Sequence, residues 1–114
     1  MPNTQDVILI EYNRKYLADI VALFNHTIQK VNRQDYSQAE INEWIQPNPD
    51  LDSWHDNLSK SYCVLAFKAD CLVGFGNITA DGYLDLLFVA HSVIRSGIGR
   101  LIFNRLEQYA RLKK

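Results

Sequence analysis

The sequence is poor in the residues that mark several protein classes. Two cysteines, Cys63 and Cys71, are too few for a disulfide framework or a metal cluster in 114 residues. Lysine and arginine (12) nearly balance aspartate and glutamate (13), which disfavours nucleic acid binding by bulk charge. No apolar run is long enough to span a membrane, and the N-terminus has no signal-peptide core. We therefore expect a cytoplasmic protein with free thiols, without nucleic acid or membrane partners.

The remaining composition is that of one globular domain. Hydrophobic residues make up 47% and charged residues 22% of the chain, and only 3 prolines and 5 glycines interrupt it. No internal repeat, low-complexity segment or linker divides it. Residues 1–114 are therefore expected to form a single domain.

Hydrophobic spacing predicts a mixed order of strands and helices. The predicted elements, in chain order, are a strand (7–10), a helix (16–31) with Asn13 as its cap, a helix from 37 to before 47, a short helix around 54–58, strands at 62–67, 72–78 and 83–89, and a helix at 98–110. This order is typical of an α+β fold with a mainly antiparallel sheet.

Two helices in the first half carry start signals. Ser37 and Glu40 have capping-box spacing, in which each side chain bonds the backbone N–H of the other. Tyr36 and Ile41 stand at the positions of a hydrophobic staple around that cap. For the short helix that follows, Asp52 is a plausible cap.

The three later strands are joined by predicted hairpins. If residues 69–70 form the first turn, Cys71 pairs with Lys68, and Cys63 pairs with Gly76.

Glycines also mark the return strand and the second turn. Gly74 and Gly76 within the second of these strands suggest a bulge or a close backbone approach. Asp81-Gly82 is a strong signal for the second hairpin turn. The strand after it, 83–89, is nearly all apolar, which predicts burial on both faces.

The segment "AHSVIRSGIG" joins the last strand to the last helix. Gly97 and Gly99 permit unusual backbone angles, and a helix start offers free N–H groups and a partial positive charge. With Arg95 and Arg100 beside it, this loop suits an anion, most naturally phosphate. A plain strand-to-helix turn is the alternative. Neither the Walker A motif nor the dinucleotide fingerprint matches "GIGRLI".

The stretch "GYLDLLFVAHSVIRSGIGRLIFNRLEQYA" resembles the acetyl-CoA-binding segment of the GNAT acyltransferase superfamily. The segments "YSQAEINEW", "VGF" and "LDLLFV" are similar to its YafP-like subgroup, and the likeness covers roughly residues 8–110. The resemblance implies a GNAT fold and acetyl-CoA as the acyl donor. Because no cluster of His, Cys and Asp has metal-ligand spacing, we expect no metal. The resemblance also implies that loop amides hold the diphosphate of coenzyme A, while the pantetheine arm pairs with the last strand. The cofactor-binding residues implied are Leu87, Phe88, Val89, Ile94, Arg95, Ser96, Gly97, Ile98, Gly99 and Arg100.

Two features depart from the family pattern. Ile94 stands where the loop motif normally opens with Gln or Arg. The sequence also stops after the helix, whereas family members normally continue with a fifth strand, a helix and two more strands. That part usually carries a tyrosine that can protonate the departing thiolate. The last strand would then be an exposed apolar edge, which we expect a second copy to cover in a homodimer.

Asp85 interrupts the otherwise apolar last strand and is the candidate catalytic residue. Alternation would place it on the same face as Leu87 and Val89. It could bind the acceptor amine or remove its proton. Alternatively, it is a structural carboxylate that holds a loop amide or an arginine, and this interpretation is slightly favoured.

Other polar and aromatic residues are weaker candidates. An acceptor pocket near the first helices could be lined by Glu11, Tyr36, Trp44, Trp54 and His55. Core packing is the better interpretation for the tryptophans, and solvent exposure for His55. His26 has no visible partner, and His91 suits a role in the turn.

The residues and the resemblance together predict an N-acetyltransferase. An acetyl group would pass from acetyl-CoA to a primary amine by direct attack. The alternative is a truncated, non-catalytic module that binds acyl-CoA or only dimerises.

Overall fold

The computed structural model describes residues 6–31, 37, 39–40, 43, 50–90 and 96–112. These form a four-stranded sheet and three helices. The elements are β1 (Val7–Glu11), a 3-10 turn (Arg14–Tyr16), α1 (Leu17–Val31), α2 (Leu51–Ser59), β2 (Tyr62–Lys68), β3 (Cys71–Ile78), β4 (Leu84–Val89) and α3 (Ile98–Leu112). The predicted α+β class is confirmed.

All neighbouring strands of the sheet run antiparallel, in the order β1-β2-β3-β4. The turn between β2 and β3 is made by Ala69 and Asp70, whose φ angles of 51° and 65° suit a tight hairpin. Lys68 pairs with Cys71 as predicted. Cys63 pairs with Asn77, so the predicted pairing with Gly76 is wrong.

A bulge explains this shift in pairing. Phe67 pairs with Leu72, but Ala66 pairs with Gly74, which leaves Val73 as an extra residue on β3. The extra residue moves the register of every later pair by one position.

Hydrophobic side chains fill both faces of the sheet. On one face α1 and α2 pack over a buried cluster that includes Leu65 and Phe75. On the other face α3 packs over a cluster that includes Val64 and Ala66. Neighbouring residues of β2 therefore serve opposite layers, as strand alternation requires.

The predicted amphipathic pattern of the first helix is confirmed. Asn13 accepts a hydrogen bond from the Lys15 N–H at 2.9 Å and caps the 3-10 turn that leads into α1. The buried apolar residues share one face of the helix and are Leu17, Ile20, Val21, Leu23 and Ile28.

The capping box is also confirmed. The Ser37 N–H donates to Glu40 Oε1 at 3.0 Å, and the Glu40 N–H donates to Ser37 Oγ at 3.2 Å. Hydrogen bonds from Ser37 hold the pKa of Glu40 below its usual value. The predicted staple residues Tyr36 and Ile41, with most of that helix, lie outside the described residues.

The cap of α2 is Asp50, so the prediction of Asp52 is wrong. Asp50 has an extended backbone and accepts from the Ser53 N–H at 3.1 Å. Asp52 lies two residues further on, inside the first turn, where it forms an exposed ion pair with Arg14 at 2.7 Å. The carboxylate of Asp52 interacts favourably with the helix dipole. Asp50 is nevertheless the cap, because its backbone is extended and its side chain accepts the Ser53 N–H.

Gly74 and Gly76 allow α3 to approach β3 closely. A Cβ at Gly74 would lie 3.0 Å from Ile102 Cδ1 and 3.1 Å from the Phe88 carbonyl oxygen. A Cβ at Gly76 would lie 3.0 Å from Ile102 Cγ2 and from a Leu87 methyl group. The predicted bulge and the predicted close approach are therefore both present in this strand.

β4 is an outer strand of the described sheet, and its burial reflects that position. Leu84 and Asp85 are exposed, while the four later residues are partly buried. The expectation of burial on both faces is met only in part: residues 86–89 pack against clusters on both faces of the sheet, but none is fully buried, because no described element covers the outer edge. None of the helices in the described ranges combines the length and apolarity needed to cross a bilayer.

Candidate functional site

The outer edge of β4 presents backbone groups that pair with no other described strand. The Ala90 N–H donates to the Val73 carbonyl at 2.8 Å, so even-numbered residues here turn their backbone groups toward β3. Leu87 and Val89 alternate with them and direct their N–H and C=O groups to the open edge. An extended ligand or chain can add to such an edge as a further strand.

The side chains of β4 secure this edge from both faces of the sheet. Phe88 packs against Phe24 of α1 at a ring-centroid distance of 5.0 Å and against Phe75 of β3 at 5.5 Å. Leu87 and Val89 pack on the opposite face, with the cluster beneath α3. The backbone at the edge is thus held by packing on both sides.

The predicted cofactor loop is described from Ser96 onward. Ile94 and Arg95 lie outside the described residues. Gly97 has a φ of 90°, a conformation that L side chains adopt rarely, and its carbonyl accepts the Leu101 N–H at 3.0 Å. Gly97 therefore turns the chain into the first turn of α3.

The start of α3 has the polarity of an anion site. Its first turn contains no acidic residue, although the helix dipole would favour one there. It contains Arg100 instead, which is exposed and forms no ion pair within the described part of the chain. Just before the helix, Ser96 Oγ is buried without a hydrogen-bond partner among the described residues. Free helix amides, an orphaned hydroxyl and an unpaired cation would all suit a bound phosphate.

The structure requires glycine at position 97 more strictly than at position 99. Gly97 is required by its positive φ. A Cβ at Gly99 would meet only Val89 Cγ2, at an ordinary contact distance of 3.5 Å. Nothing among the described neighbours therefore demands glycine at position 99, although its absent side chain keeps the helix start open beside the end of β4.

A second bulge lies at Asp85. Ile78 pairs with Leu84, while the preceding residue Asn77 pairs with Leu86, so Asp85 is an extra residue on β4. The Leu86 N–H donates to the side-chain oxygen of Asn77 at 3.1 Å. The Asn77 amide thus takes the place of a regular ladder bond at the irregularity.

This bulge overturns the predicted orientation of Asp85. Asp85 Oδ2 accepts from Asn77 Nδ2 at 3.1 Å and from Asn57 Nδ2, on α2, at 3.3 Å. Asp85 therefore faces α2, away from the cluster that holds Leu87 and Val89. The extra residue breaks the alternation on which the prediction rested. The favoured structural interpretation named a loop amide or an arginine, and the donors are two asparagine side chains.

Asp85 lies in a shallow, open cavity of about 370 Å³ between α1, α2 and β4. Phe24 and Trp54 form its aromatic wall, with ring centroids 5.2 Å apart in an edge-to-face arrangement. The described lining residues are Phe24, Ser53, Trp54, Asn57, Asp85 and Leu86. Trp54 also packs on the core, as predicted, so it serves the fold and the cavity together.

Glu11 and His55 line a separate cavity of about 470 Å³ at the end of β1. His55 Nδ1 and the Tyr12 hydroxyl are 2.7 Å apart, so the expectation of a solvated His55 is wrong. Burial raises the pKa of Tyr12, while the nearby Arg14 lowers it. Tyr12 escaped prediction because its partner is 43 positions away, although its place directly after a strand was visible.

The remaining predicted pocket residues do not gather into one site. Tyr36, Trp44 and His91 lie outside the described residues. His26 is exposed on α1, at a shallow cavity beside the β2–β3 turn. No cluster of three metal-ligating side chains occurs among the described residues.

Both cysteines are free, as expected. Cys63 is buried, and desolvation raises the pKa of its thiol to about 12. Such a thiol stays protonated at neutral pH and is a poor nucleophile. Cys71 is exposed at the hairpin turn.

Comparison with known families agrees with this geometry. The family profile described as "Acetyltransferase (GNAT) domain" matches residues 32–114, which is well over half of the chain. The chain therefore belongs to the GNAT acetyltransferase family. The YafP-like subgroup stays a prediction. No curated protein sequence matches the chain.

Solved structures share the fold. A GCN5-related N-acetyltransferase from Rhodopseudomonas palustris superposes with a TM-score of 0.86 at 23% identity, covering 93% of this chain and 66% of that one. The PaiA N-acetyltransferase from Thermoplasma acidophilum, in complex with coenzyme A, gives 0.83 at 15% identity, covering 94% and 73%. An aminoglycoside acetyltransferase from an uncultured soil metagenomic sample, in complex with trehalose, gives 0.69 at 15%, covering 97% and 74%. This chain spans about two thirds of the Rhodopseudomonas structure's length.

Proposed function

We propose that the chain binds acetyl-CoA at β4 and α3 and transfers its acetyl group to a primary amine. The observation that carries this proposal is the start of α3, where Ser96 Oγ has no hydrogen-bond partner among the described residues and the first turn of the helix contains no acidic residue. The diphosphate would lie on the amides from Ile94 to Arg100. Family membership and the coenzyme A complex of the Thermoplasma relative support the choice of ligand.

The acyl arm would run along the open edge of β4. Leu87 and Val89 direct backbone donors and acceptors there, and Phe88 between them is held by aromatic packing. Val89 and Asp85 are four positions apart, a distance of about 13 Å along a strand. An arm that enters at the loop would therefore reach toward the bulge at Asp85.

The reaction would proceed by direct attack. Acetyl-CoA supplies an acetyl group activated as a thioester. The neutral amine nitrogen bonds to the carbonyl carbon, the carbon–sulfur bond breaks, and the proton lost by the amine reaches the sulfur through solvent. The backbone N–H groups of Leu87 and Val89 would orient and polarise the carbonyl. Asp85 would hold the incoming amine as its ammonium before deprotonation.

Thermal-shift titration with acetyl-CoA tests the binding step, because a ligand of the native state raises stability by mass action. Release of free thiol over a panel of amines tests the transfer step. Binding with thiol release supports the proposal. Binding without thiol release for any amine would favour the alternative, an acyl-CoA-binding module without catalysis.

We also propose that a second copy covers β4 in a homodimer. Tyr83 and Leu84 at the start of this edge are 72% and 46% exposed, and outer strands with free backbone groups readily pair with another chain. An isologous contact between two such strand ends would cover Tyr83 and Leu84 in both copies and leave the edge at Leu87 and Val89 free for the acyl arm. Size-exclusion chromatography with light scattering should give twice the chain mass. A stable monomer at micromolar concentration would contradict the homodimer.

A cytoplasmic location is part of the proposal. Cys71 is a free, exposed thiol, and thiols of this kind persist in reducing compartments. Fractionation of cells that express a tagged chain should recover it with cytoplasmic markers. Recovery with secreted material would contradict this location.

A further inference from the structure

We propose that the cavity between α1, α2 and β4 selects a small primary monoamine with an aromatic or compact apolar body. The ammonium would bind Asp85, and the body would lie against Phe24 and Trp54. This inference rests on the proposed function, because it names the class of acceptor that the acetyl group would reach. It concerns binding in the cavity and can be tested without turnover.

The carboxylate of Asp85 is held in position by hydrogen bonds to one oxygen, and its other oxygen can accept a ligand. Both of its asparagine donors bond the same oxygen, Oδ2, at 3.1 and 3.3 Å. Oδ1 accepts no hydrogen bond from any described residue. The two bonds fix the carboxylate plane, because Asn77 is completely buried and is itself held by Ser61 Oγ at 2.9 Å. An ammonium can therefore bond Oδ1 without displacing either asparagine.

The wall opposite this charge is aromatic and held by packing. Phe24 makes edge-to-face contacts with Trp54 at 5.2 Å and with Phe88 at 5.0 Å. Rings held in this way lose little further freedom when a ligand packs on them. An indole also attracts a nearby cation, which favours the ammonium over a neutral group of equal size.

The charge and lining of the cavity disfavour diamines. The cavity is open to solvent, since Ser53, Asn57 and Asp85 are exposed, so its lining rather than its volume decides which amine it prefers. Asp85 is the only carboxylate among the described lining residues, and Ser53 and Asn57 are neutral. The second ammonium of a diamine would therefore form no ion pair with these residues, and the chain between its two charges offers no ring to pack on Phe24 and Trp54. A monoamine with an aromatic body gains both the ion pair with Asp85 and the packing.

The cavity is also close to the proposed acyl arm. Leu86 lines it, and Leu87, whose backbone faces the open edge, is the next residue along β4. Asp85 and Leu87 are two residues apart, about 7 Å along a strand. An amine bound to Asp85 would thus lie close to a thioester at that edge.

NMR titration of the wild-type chain with three probes tests the inference. The probes are 2-phenylethylamine, its neutral analogue 2-phenylethanol, and 1,4-diaminobutane. We expect 2-phenylethylamine to shift the amides of residues 53–57 and 85–86 and to bind at least about fivefold more tightly than either other probe. Asp85→Asn keeps the side-chain shape and should abolish this preference for the amine over the alcohol. Trp54→Phe should weaken 2-phenylethylamine, which loses both packing and attraction to the indole, more than the diamine, which loses the attraction alone.

The possible results distinguish a failure of this inference from a failure of the proposed function. If 2-phenylethylamine shifts no amide in the cavity while acetyl-CoA still binds, the inference is overturned and the proposed function stands. Preference for the diamine, or unchanged selectivity in Asp85→Asn, also overturns the inference. If the amine binds as expected but acetyl-CoA does not, the amine site stands and the proposed function falls.

Discussion

The buried amide of Asn77 donates a hydrogen bond to Asp85 at 3.1 Å and so ties the core of the sheet to the bulge of its outer strand. The same amide accepts the Leu86 N–H at 3.1 Å and donates to Ser61 at 2.9 Å. One fully buried side chain thus satisfies a backbone group that the bulge would otherwise leave unpaired and sets the position of the candidate acid.

Asn77→Ala should destabilise the fold by about 1–3 kcal/mol, because it leaves the Leu86 N–H without its partner. Urea unfolding followed by circular dichroism measures this change. Asn57→Ala is the matched control, since it removes the other amide donor to Asp85 from an exposed position. Its effect should stay within about 0.5 kcal/mol. Equal losses of unfolding free energy in Asn77→Ala and Asn57→Ala would contradict the conclusion that Asn77 stabilises the bulge.

Gly74→Ala should destabilise the fold by about 1–3 kcal/mol through overpacking against α3. The new methyl group would meet Ile102 Cδ1 at 3.0 Å and the Phe88 carbonyl at 3.1 Å. Ile102→Val removes that Cδ1 atom, so the double variant should lose less stability than the sum of the single changes. If the two losses of stability add strictly in a double-mutant cycle, contact with Ile102 of α3 is not the reason that Gly74→Ala is destabilising.

Asp50→Ala should lower the melting temperature more than Asp52→Ala, because Asp50 caps α2 and Asp52 forms only an exposed ion pair. Hydrogen bonds from Ser53 hold the pKa of Asp50 below its usual value. The stabilisation from Asp50 is therefore present above its ordinary pKa and is lost as pH falls through the lowered value. The difference between wild type and Asp50→Ala should shrink in acid. A difference that grows in acid would contradict this assignment.

The thiols should react in two separate classes. Cys71 is exposed, so one thiol per chain should react promptly with a disulfide reagent at pH 8. Cys63 is buried with a pKa of about 12 and should react only after denaturation. Because the unfolded chain releases this proton first, stability should fall as pH rises from the ordinary thiol pKa toward about 12. Cys71→Ser is the control and should show no reactive thiol in the native state.

Much of the fold could be predicted because short-range chemistry specifies it. The Asp81-Gly82 turn, the capping box of Ser37 and the stripe of apolar residues in α3 each depend on neighbours within a few positions. For the same reason the loop at Gly97 could be singled out before its helix was known.

The features that escaped prediction depend on single extra residues or distant partners. The bulges at Val73 and Asp85 shift the register, and alternation cannot reveal them because one added residue leaves the apolar pattern almost unchanged. The choice between Asp50 and Asp52 is made by backbone angles that their spacing does not encode. The Tyr12–His55 contact joins residues 43 positions apart.

The central claim is that the loop before α3 binds the diphosphate of coenzyme A, and calorimetric titration with coenzyme A tests it most directly. The wild-type chain should bind. Gly97→Ala should bind about tenfold or more weakly, because an L side chain is strained at a φ of 90° and the loop must shift. Gly82→Ala, at the same φ of 90° but in the turn between β3 and β4, should bind within about threefold of wild type. Absence of binding to the folded wild-type chain, or equal affinity in Gly97→Ala, would contradict the account.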